Sequence, residues 1–493
     1  MAAPSELEIK LLIPAAAAEA VAAHPLLQGA AAPKVQRQVT TYFDTPGWDL
    51  AHMGASLRIR RRGRARVQTL KLRDAAGQAF ERGEWEWPVT ADAPDRALLA
   101  ETPLAALLAA MPPFAPVFAT TIARRLHVLE REGSVIEVAL DAGEVRAGAA
   151  AEPILELELE LKSGPAAPLF ALAEALQAGL PLTLGAESKA ERGWRLSTGR
   201  PRAVTKPGPV ALPPGASAAE AFRRIIGAGL TGLLANLPAA AEVEGVHQLR
   251  VGIRRLRAAL ALFRPLLDPV PADRFGLELR RLGQVLGAAR DWDVFCAETL
   301  AAVPAAAALR PAAEAARAAA RRALAEELAG PALSAVVLGL AAWAEAAPIP
   351  AGRLAAAMPR LEHRLARKAR RRGRRIRQRP PADLHALRKA VKKLRYGVEA
   401  LAPLHRRKQA RAFLAGCAAL QAELGLMNDA AMAEAMAGRL DAAAPAEAVA
   451  ALRDWAAARQ AKAFERIPRA WHRFKALPLP EAARDSPGRD ASG

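Results

Sequence analysis

The chain has 493 residues, 52% of them hydrophobic, and a formal net charge of +20. That length excludes a single ordinary core and predicts two or three domains, and the abundance of alanine predicts a large helical share. Two cysteines, Cys296 and Cys417, exclude a disulfide framework and fit a reducing cytosol.

The charge is uneven. Acidic and basic residues cancel over the first 210 positions, so the whole excess lies in the remainder and predicts a polyanionic partner there. No basic leader precedes an apolar run, because Glu6, Glu8 and Lys10 interrupt it at once. No apolar run approaches the roughly 18–20 residues of a membrane span; Val336–Trp343 is soon closed by Glu345. The expectation is a cytoplasmic protein with no membrane partner.

Glu6-Leu7-Glu8-Ile9-Lys10 reads as a strand with its charges on one face and its apolar residues on the other. Two carboxylates about 7 Å apart along a strand, beside a lysine, suit a hard cation that itself holds a phosphate chain. A solvated sheet face would show the same five residues. Ala15–Ala23 has the composition of a short helix. Strand patterns follow at Val35–Tyr42, Ser56–Arg62, Val67–Arg73, Gly83–Val89, Val117–Leu129, Val135–Asp141 and Ile154–Lys162. Turn signals such as Asp44-Thr45-Pro46-Gly47 and Asp74-Ala75-Ala76-Gly77 separate them. Leu169–Leu180 and Glu187–Arg195 read as helical or loop insertions. Meander spacing of seven or more strands predicts an antiparallel sheet or a closed barrel.

Each strand carries one apolar and one charged face. Arg58, Arg60 and Arg62 alternate with apolar neighbours or a further arginine; Lys71 pairs with Arg73, Glu84 with Glu86, and Glu156, Glu158 and Glu160 oppose three leucines. The charged faces are either outer, solvated surfaces or the lining of a wet, ionic barrel. Their purity of sign favours the interior, where cations on some strands and carboxylates on others can hold a polyphosphate with a divalent metal.

Glu6-x-Glu8-x-Lys10, Arg58-x-Arg60, Lys71, Arg124, Asp141, Glu156-x-Glu158 and Ser188-Lys189, in this order, resemble the motif series of the CYTH domain, a branch of the triphosphate tunnel metalloenzymes. Thr41–Pro46 and Ser188–Gly193 are also similar to that family. The resemblance spans about residues 4–200. It implies an eight-stranded antiparallel tunnel, a two-metal-type site and a substrate bearing a triphosphate. It also implies roles: Glu6, Glu8, Glu156 and Glu158 as ligands of Mg²⁺ or Mn²⁺, Asp141 beside the metal or orienting water, and Lys10, Arg58, Arg60, Lys71, Arg124 and Lys189 gripping phosphates. Arg125 could take the place of Arg124, and Glu160 shares the acidic face without an assigned role.

Prolines and glycines crowd Thr198–Ser217, which reads as a semi-rigid linker. Beyond it an internal repeat stands out. His247-Gln248-Leu249-Arg250 through Arg257 is answered 138 residues later by His385-Ala386-Leu387-Arg388 through Arg395, and Leu286–Asp291 by Leu424–Asp429 at the same offset. On helices, His247, Arg250, Arg254 and Arg257 form one stripe, and His385, Arg388, Lys392 and Arg395 its copy. Apolar stripes run beside them, Leu249, Ile253, Leu256 and Leu260 against Leu387, Val391, Leu394 and Val398. Two pseudo-symmetric basic stripes predict helical bundles facing a shared groove. Arg290 has Asn428 as its counterpart, so the halves are not identical. Arg364–Arg379 holds ten arginines and lysines and is suited to a polyanion; without interleaved aromatics it suits phosphate chains better than nucleic acid.

The histidine-led repeat resembles the CHAD domain over about residues 216–480, which implies an all-helical module that binds inorganic polyphosphate. The expected fold is therefore α+β and multidomain. An N-terminal antiparallel eight-stranded β tunnel occupies 1–200, a linker 201–215, a C-terminal all-α pseudo-twofold bundle 216–480 and a flexible tail 481–493. The order of the two domains is similar to that of bacterial inorganic triphosphatases. It implies metal-dependent hydrolysis of inorganic triphosphate, with polyphosphate binding and location at polyphosphate granules. Adenylyl cyclase, thiamine triphosphatase and a non-enzymatic polyphosphate scaffold are the competing functions.

Overall fold

The computed structural model describes residues 5–28, 33–73, 80–108, 110–200, 204–206, 208–440 and 445–483. The turn expected at Asp74–Gly77, parts of the linker and residues 484–493 of the tail lie outside them. The chain divides into two compact units, and the division is not a single cut: residues 1–205, 234–239 and 328–346 form the first, and the rest form the second.

Among the described residues nine strands build the first unit: β1 Ser5–Leu12, β2 Lys34–Asp44, β3 Ala55–Arg62, β4 Ala65–Arg73, β5 Glu81–Val89, β6 Ala115–Arg131, β7 Ser134–Ala147, β8 Ala150–Ser163 and β9 Thr183–Leu184. Their order β5-β4-β3-β2-β6-β7-β8-β1, with β1 also paired to β5, closes an eight-stranded antiparallel barrel; β9 adds to β1 outside the ring. Short turns fix the register. Between β6 and β7, Glu132 and Gly133 both take positive φ (46° and 80°), as a two-residue hairpin of right-handed twist requires.

Strand alternation sorts the side chains. Leu57, Ile59 and Leu70 point outwards and are buried with Phe43, Leu50, Leu99 and Leu104 in a core under the 98–111 segment. Helix α1 (Ala167–Gly179) packs on β7 and β8. Ser334 and Pro331, which belong to the same unit, tie to it: the Ser334 hydroxyl accepts the Leu184 N–H at 2.8 Å and the Pro331 carbonyl accepts from Gln177 at 3.1 Å.

Inside one end of the barrel, Tyr42, Phe118, Ile122, Val145 and Ile154 make an apolar plug with Ala190 of helix α2 (Lys189–Thr198). Tyr42 stacks on Phe118 with ring centroids 4.6 Å apart. Gly193 allows α2 to reach this plug, since a Cβ there would sit 2.0 Å from the Phe118 ring.

The second unit is helical. Its main helices are α3 (Ala218–Asn236, its last residues in the first unit), α4 (Val243–Phe263), α5 (Pro269–Val294), α6 (Arg310–Ala329) and, after α7 (Pro331–Ala346) of the first unit, α8 (Leu354–Arg372), α9 (Pro381–Ala400), α10 (Arg407–Leu440) and α11 (Ala446–Ala476). The repeat maps the packed pair α4–α5 onto α9–α10, and α4 packs on α9. Both expected apolar stripes are buried. Among the described residues no single helix is long and apolar enough to cross a membrane.

Candidate functional site

The barrel interior holds a cavity of about 280 Å³ whose wall is mostly charged. Glu6, Glu8, Lys10, Arg58, Arg60, Lys71, Arg124, Glu158 and Lys189 all line it, so the inward reading of the charged faces is the observed one. Arg125 is exposed on the other face of β6, which leaves Arg124 as the inward arginine. Asp141 and Glu156 lie behind the wall, each 0% exposed.

Local chemistry explains the Ser188–Gly193 segment residue by residue. Ser188 caps α2 by accepting the Glu191 N–H at 3.2 Å, and Glu191 returns the bond to the Ser188 N–H at 2.8 Å. The cap sets Lys189 at the first turn, where its ammonium meets Asp141 at 2.7 Å, Glu156 at 2.5 Å and Glu158 at 2.8 Å. Arg192 donates to the other oxygen of Glu156 at 3.1 Å. The Thr41–Pro46 segment has a structural role too. Buried Asp44 accepts N–H groups of Thr45, Leu50 and Ala51 at 2.8, 2.9 and 3.0 Å and so fixes the turn after β2.

Cations and carboxylates interleave around the cavity. Arg124 donates two 2.7 Å bonds to Asp141 and a third of 2.7 Å to Glu158. Lys10 bridges Glu8 at 3.1 Å and Glu158 at 2.9 Å. Lys71 meets Glu6 at 2.6 Å, Glu84 at 3.3 Å and Glu8 at 3.5 Å. Burial raises the carboxyl of Glu8, but Lys10 and Lys71 outweigh it and hold Glu8 well below the carboxylate range. Glu158 is held down in the same way, by Lys10, Lys189 and Arg124.

Two groups depart in the opposite sense. Burial and then the neighbouring Glu8 push Glu6 up to about 9. Burial, then Arg58 and Arg124, push Arg60 down to about 10; among the described residues it has no carboxylate within ion-pair distance. A buried guanidinium among other guanidiniums is a place that favours an incoming anion.

The carboxylates could hold a metal in two groups. Oxygens of Glu6, Glu84 and Glu160 lie within 4.8 Å of one another, and so do those of Asp141, Glu156 and Glu158. Three carboxylates are the donor set of a hard divalent cation. Each group is already bridged by a lysine: Lys189 meets all three carboxylates of the second, and Lys71 meets Glu6 and Glu84 of the first. The residues fit a cation, and all three carboxylates of the first group line the cavity, whereas of the second only Glu158 does. Of the four ligands expected from sequence, Glu6 lies in one group, Glu156 and Glu158 in the other, and Glu8 in neither.

Three cavity residues escaped the sequence reading: Arg82, Glu84 as a metal-group member, and Glu160 in the same role. Arg82 lies opposite Glu6 in the β1–β5 ladder, and that non-local pairing is invisible in the sequence. Trp85 and Trp87 pack in the outer core, so neither faces the cavity.

On α4 and α9 the basic stripes keep their side chains together. Arg250 pairs with Asp291 at 2.9 Å, Arg254 donates to the Tyr396 hydroxyl at 3.4 Å and Arg395 to Gln421 at 2.9 Å. Burial, then Arg388, Arg254 and Arg250, push the Lys392 ammonium down to about 7. Arg257 instead has Arg280 as its charged neighbour. The histidines differ: His385 bonds Asn428 at 2.7 Å, whereas His247 faces Arg290, which with burial lowers its pKa. The Arg290/Asn428 exchange therefore changes what each histidine can bond.

Residues 4–194 match the family model of the CYTH domain, and residues 224–438 that of the CHAD domain. An inorganic triphosphatase of Haemophilus influenzae is 34% identical over 167 residues, 32% of this chain and 45% of that protein, so the chain spans under half of this curated relative. The crystal structure of the CHAD domain from the plant Ricinus communis is 34% identical with a TM-score of 0.53, covering 57% of this chain and 99% of that one. PptA from Streptomyces chartreusis is 18% identical with a TM-score of 0.43, covering 53% of this chain and 99% of that one.

Proposed function

We propose, for a chain that belongs to the CYTH family through residues 4–194 and to the CHAD family through residues 224–438, that the barrel hydrolyses inorganic triphosphate to pyrophosphate and phosphate with Mg²⁺ or Mn²⁺. The helical unit would bind inorganic polyphosphate and hold the enzyme at polyphosphate granules in the cytoplasm. The supporting observation is the cavity wall, in which nine cations and seven carboxylates surround the space and Tyr42 is the sole aromatic among the described residues.

Lys10, Arg58, Arg60, Lys71, Arg82, Arg124 and Lys189 would bind the non-bridging oxygens and spread their charge. Asp141 and Glu156 orient two of these cations, Arg124 and Lys189. Water attacks the terminal phosphorus in line, the bond to the bridging oxygen breaks, and its electron pair leaves with pyrophosphate. The water proton ends on a cavity carboxylate or on the released phosphate. A divalent cation at Glu6, Glu84 and Glu160, with Glu8 and Glu158 on the same acidic wall, would polarise the phosphoryl oxygens. Adenylyl cyclase or thiamine triphosphatase activity needs a shelf for a ring, and Trp85 and Trp87 are packed outside. A scaffold without activity has no need for carboxylates among the cavity's cations.

Phosphate release from triphosphate, ATP and thiamine triphosphate by the full-length protein tests this. Triphosphate should be the preferred substrate, with release that needs Mg²⁺ or Mn²⁺ and stops on chelation. No release with either cation sinks the reading.

A further inference from the structure

The run Arg364–Arg379 is not used by the stripes on α4 and α9. It ends α8, turns at Gly373 and continues through a 3₁₀ turn, Ile376–Gln378, which lies against the end of α11. Between them is a groove of about 580 Å³. Trp471, Ile376 and Gly373 are buried at its floor, and Arg370, Arg374, Arg375, Arg377, His472 and Lys475 are exposed around it. No acidic residue lines it.

The turn has a fixed shape. A Cβ on Gly373 would meet the Trp471 ring at 2.2 Å, so the turn sits directly on that ring. Arg379 braces it, donating to the Arg374 carbonyl at 2.9 Å and to Asp383 at 2.8 Å. Several arginines elsewhere in this unit are matched by acids: Arg250 with Asp291, Arg264 with Asp273, Arg281 with Glu327, and Arg317 and Arg321 with Asp293. The groove cations have no ion pair among the described residues. Two helix C-termini meet here, and their dipoles favour cations in the last turns. Arg374, Arg375 and Arg377 lie past the end of α8, where that account stops.

We propose that this groove is a second binding site for a phosphate chain, separate from the α4/α9 stripes, and that inorganic polyphosphate is its occupant. Arginine forks match phosphate oxygens two at a time. A nucleic acid is the less suitable polyanion, because base stacking needs an open aromatic face and Trp471 is only 4% exposed. The proposal rests on the polyphosphate reading of the helical unit and adds a site to it.

The test is a salt series of polyphosphate binding to the full-length protein, with a chain of defined length. The combined variant Arg374→Ala, Arg377→Ala, Lys475→Ala is compared with Arg250→Ala, Arg388→Ala, and thermal unfolding checks each fold. Losing three phosphate contacts should lower the slope of log affinity against log salt by about 2 and weaken binding roughly tenfold at physiological salt. A groove variant with the slope and affinity of the unaltered protein overturns this site while leaving the wider reading intact. An unaltered protein that binds no polyphosphate overturns both. Single-stranded DNA that binds as tightly as polyphosphate, and loses as much in the groove variant, makes the groove a nucleic-acid site and overturns the assignment.

Discussion

Arg60 is the cation that the cavity satisfies least. Its neighbours Arg58 and Arg124 repel it, and burial removes the water that would offset this. Phosphate oxygens would relieve both costs, so Arg60→Ala should lower kcat/KM for triphosphate by about 10²–10³. Arg82→Ala should act in the same direction, although Glu8, Glu6 and Glu158 already attract that guanidinium. Steady-state phosphate release measures both, and Arg60→Ala with unaltered kcat/KM would remove this residue from the site. Glu84→Gln tests the acidic group beside Glu6 and Glu160. It should raise the Mn²⁺ concentration for half-maximal rate at least tenfold, by analogy with the cost of disturbing a metal's supporting shell, about 10–100-fold. An unchanged metal titration would place the cation elsewhere. The sequence showed Arg60 and Glu6 plainly, because alternation along one strand assigns them to one face. Arg82 needed the barrel to close, since only the β1–β5 ladder sets it opposite Glu6, whereas Glu84 stands opposite Lys71 in the β4–β5 ladder.

Among the elements, helix α2 is the one on which cavity and plug both depend. Its cap sets Lys189 against Asp141, Glu156 and Glu158, and one turn later Gly193 meets Phe118. Gly193→Ala pushes a methyl into that ring. Overpacking of this kind costs about 1–3 kcal/mol, outweighing the better helix propensity of alanine, about 1 kcal/mol. A lower midpoint in denaturant for the variant checks it, and a midpoint at or above that of the unaltered protein refutes the close approach. The eight strands were legible because their period of two is long and clean. The repeat was legible because two motifs keep one offset. What α2 does was only partly legible: Ser188 and Glu191 have the spacing of a capping box, yet the partner of Gly193 is 75 residues away in β6. The unlike surroundings of His247 and His385 were announced by Arg290 and Asn428, while Tyr396 beside Arg254 carried no such signal.

For the whole molecule, the segregation of charge has a consequence in pH. The excess of +20 lies beyond residue 210, and within it Lys392 is crowded by Arg250, Arg254 and Arg388. Without ligand that lysine loses its proton near pH 7. A polyphosphate alongside would favour the ammonium and draw its pKa back towards about 10.4. Binding then takes up a proton, so affinity should fall as pH rises from 7 to 9, by no more than about tenfold per unit for one such group. The same depressed pKa makes the ligand-free protein more stable as pH climbs between about 7 and 10.4, since there the unfolded chain holds the proton that the folded one has released. Lys393, pushed down to about 8 by burial and by Arg257, Lys368, Arg280 and Arg364, adds a second step of the same sign. Titrations of polyphosphate at constant ionic strength, from pH 6.5 to 9, measure the first effect. Lys392→Arg keeps its charge throughout and should flatten the profile. A flat profile for the unaltered protein, or one that Lys392→Arg leaves as steep, removes Lys392 from the binding surface.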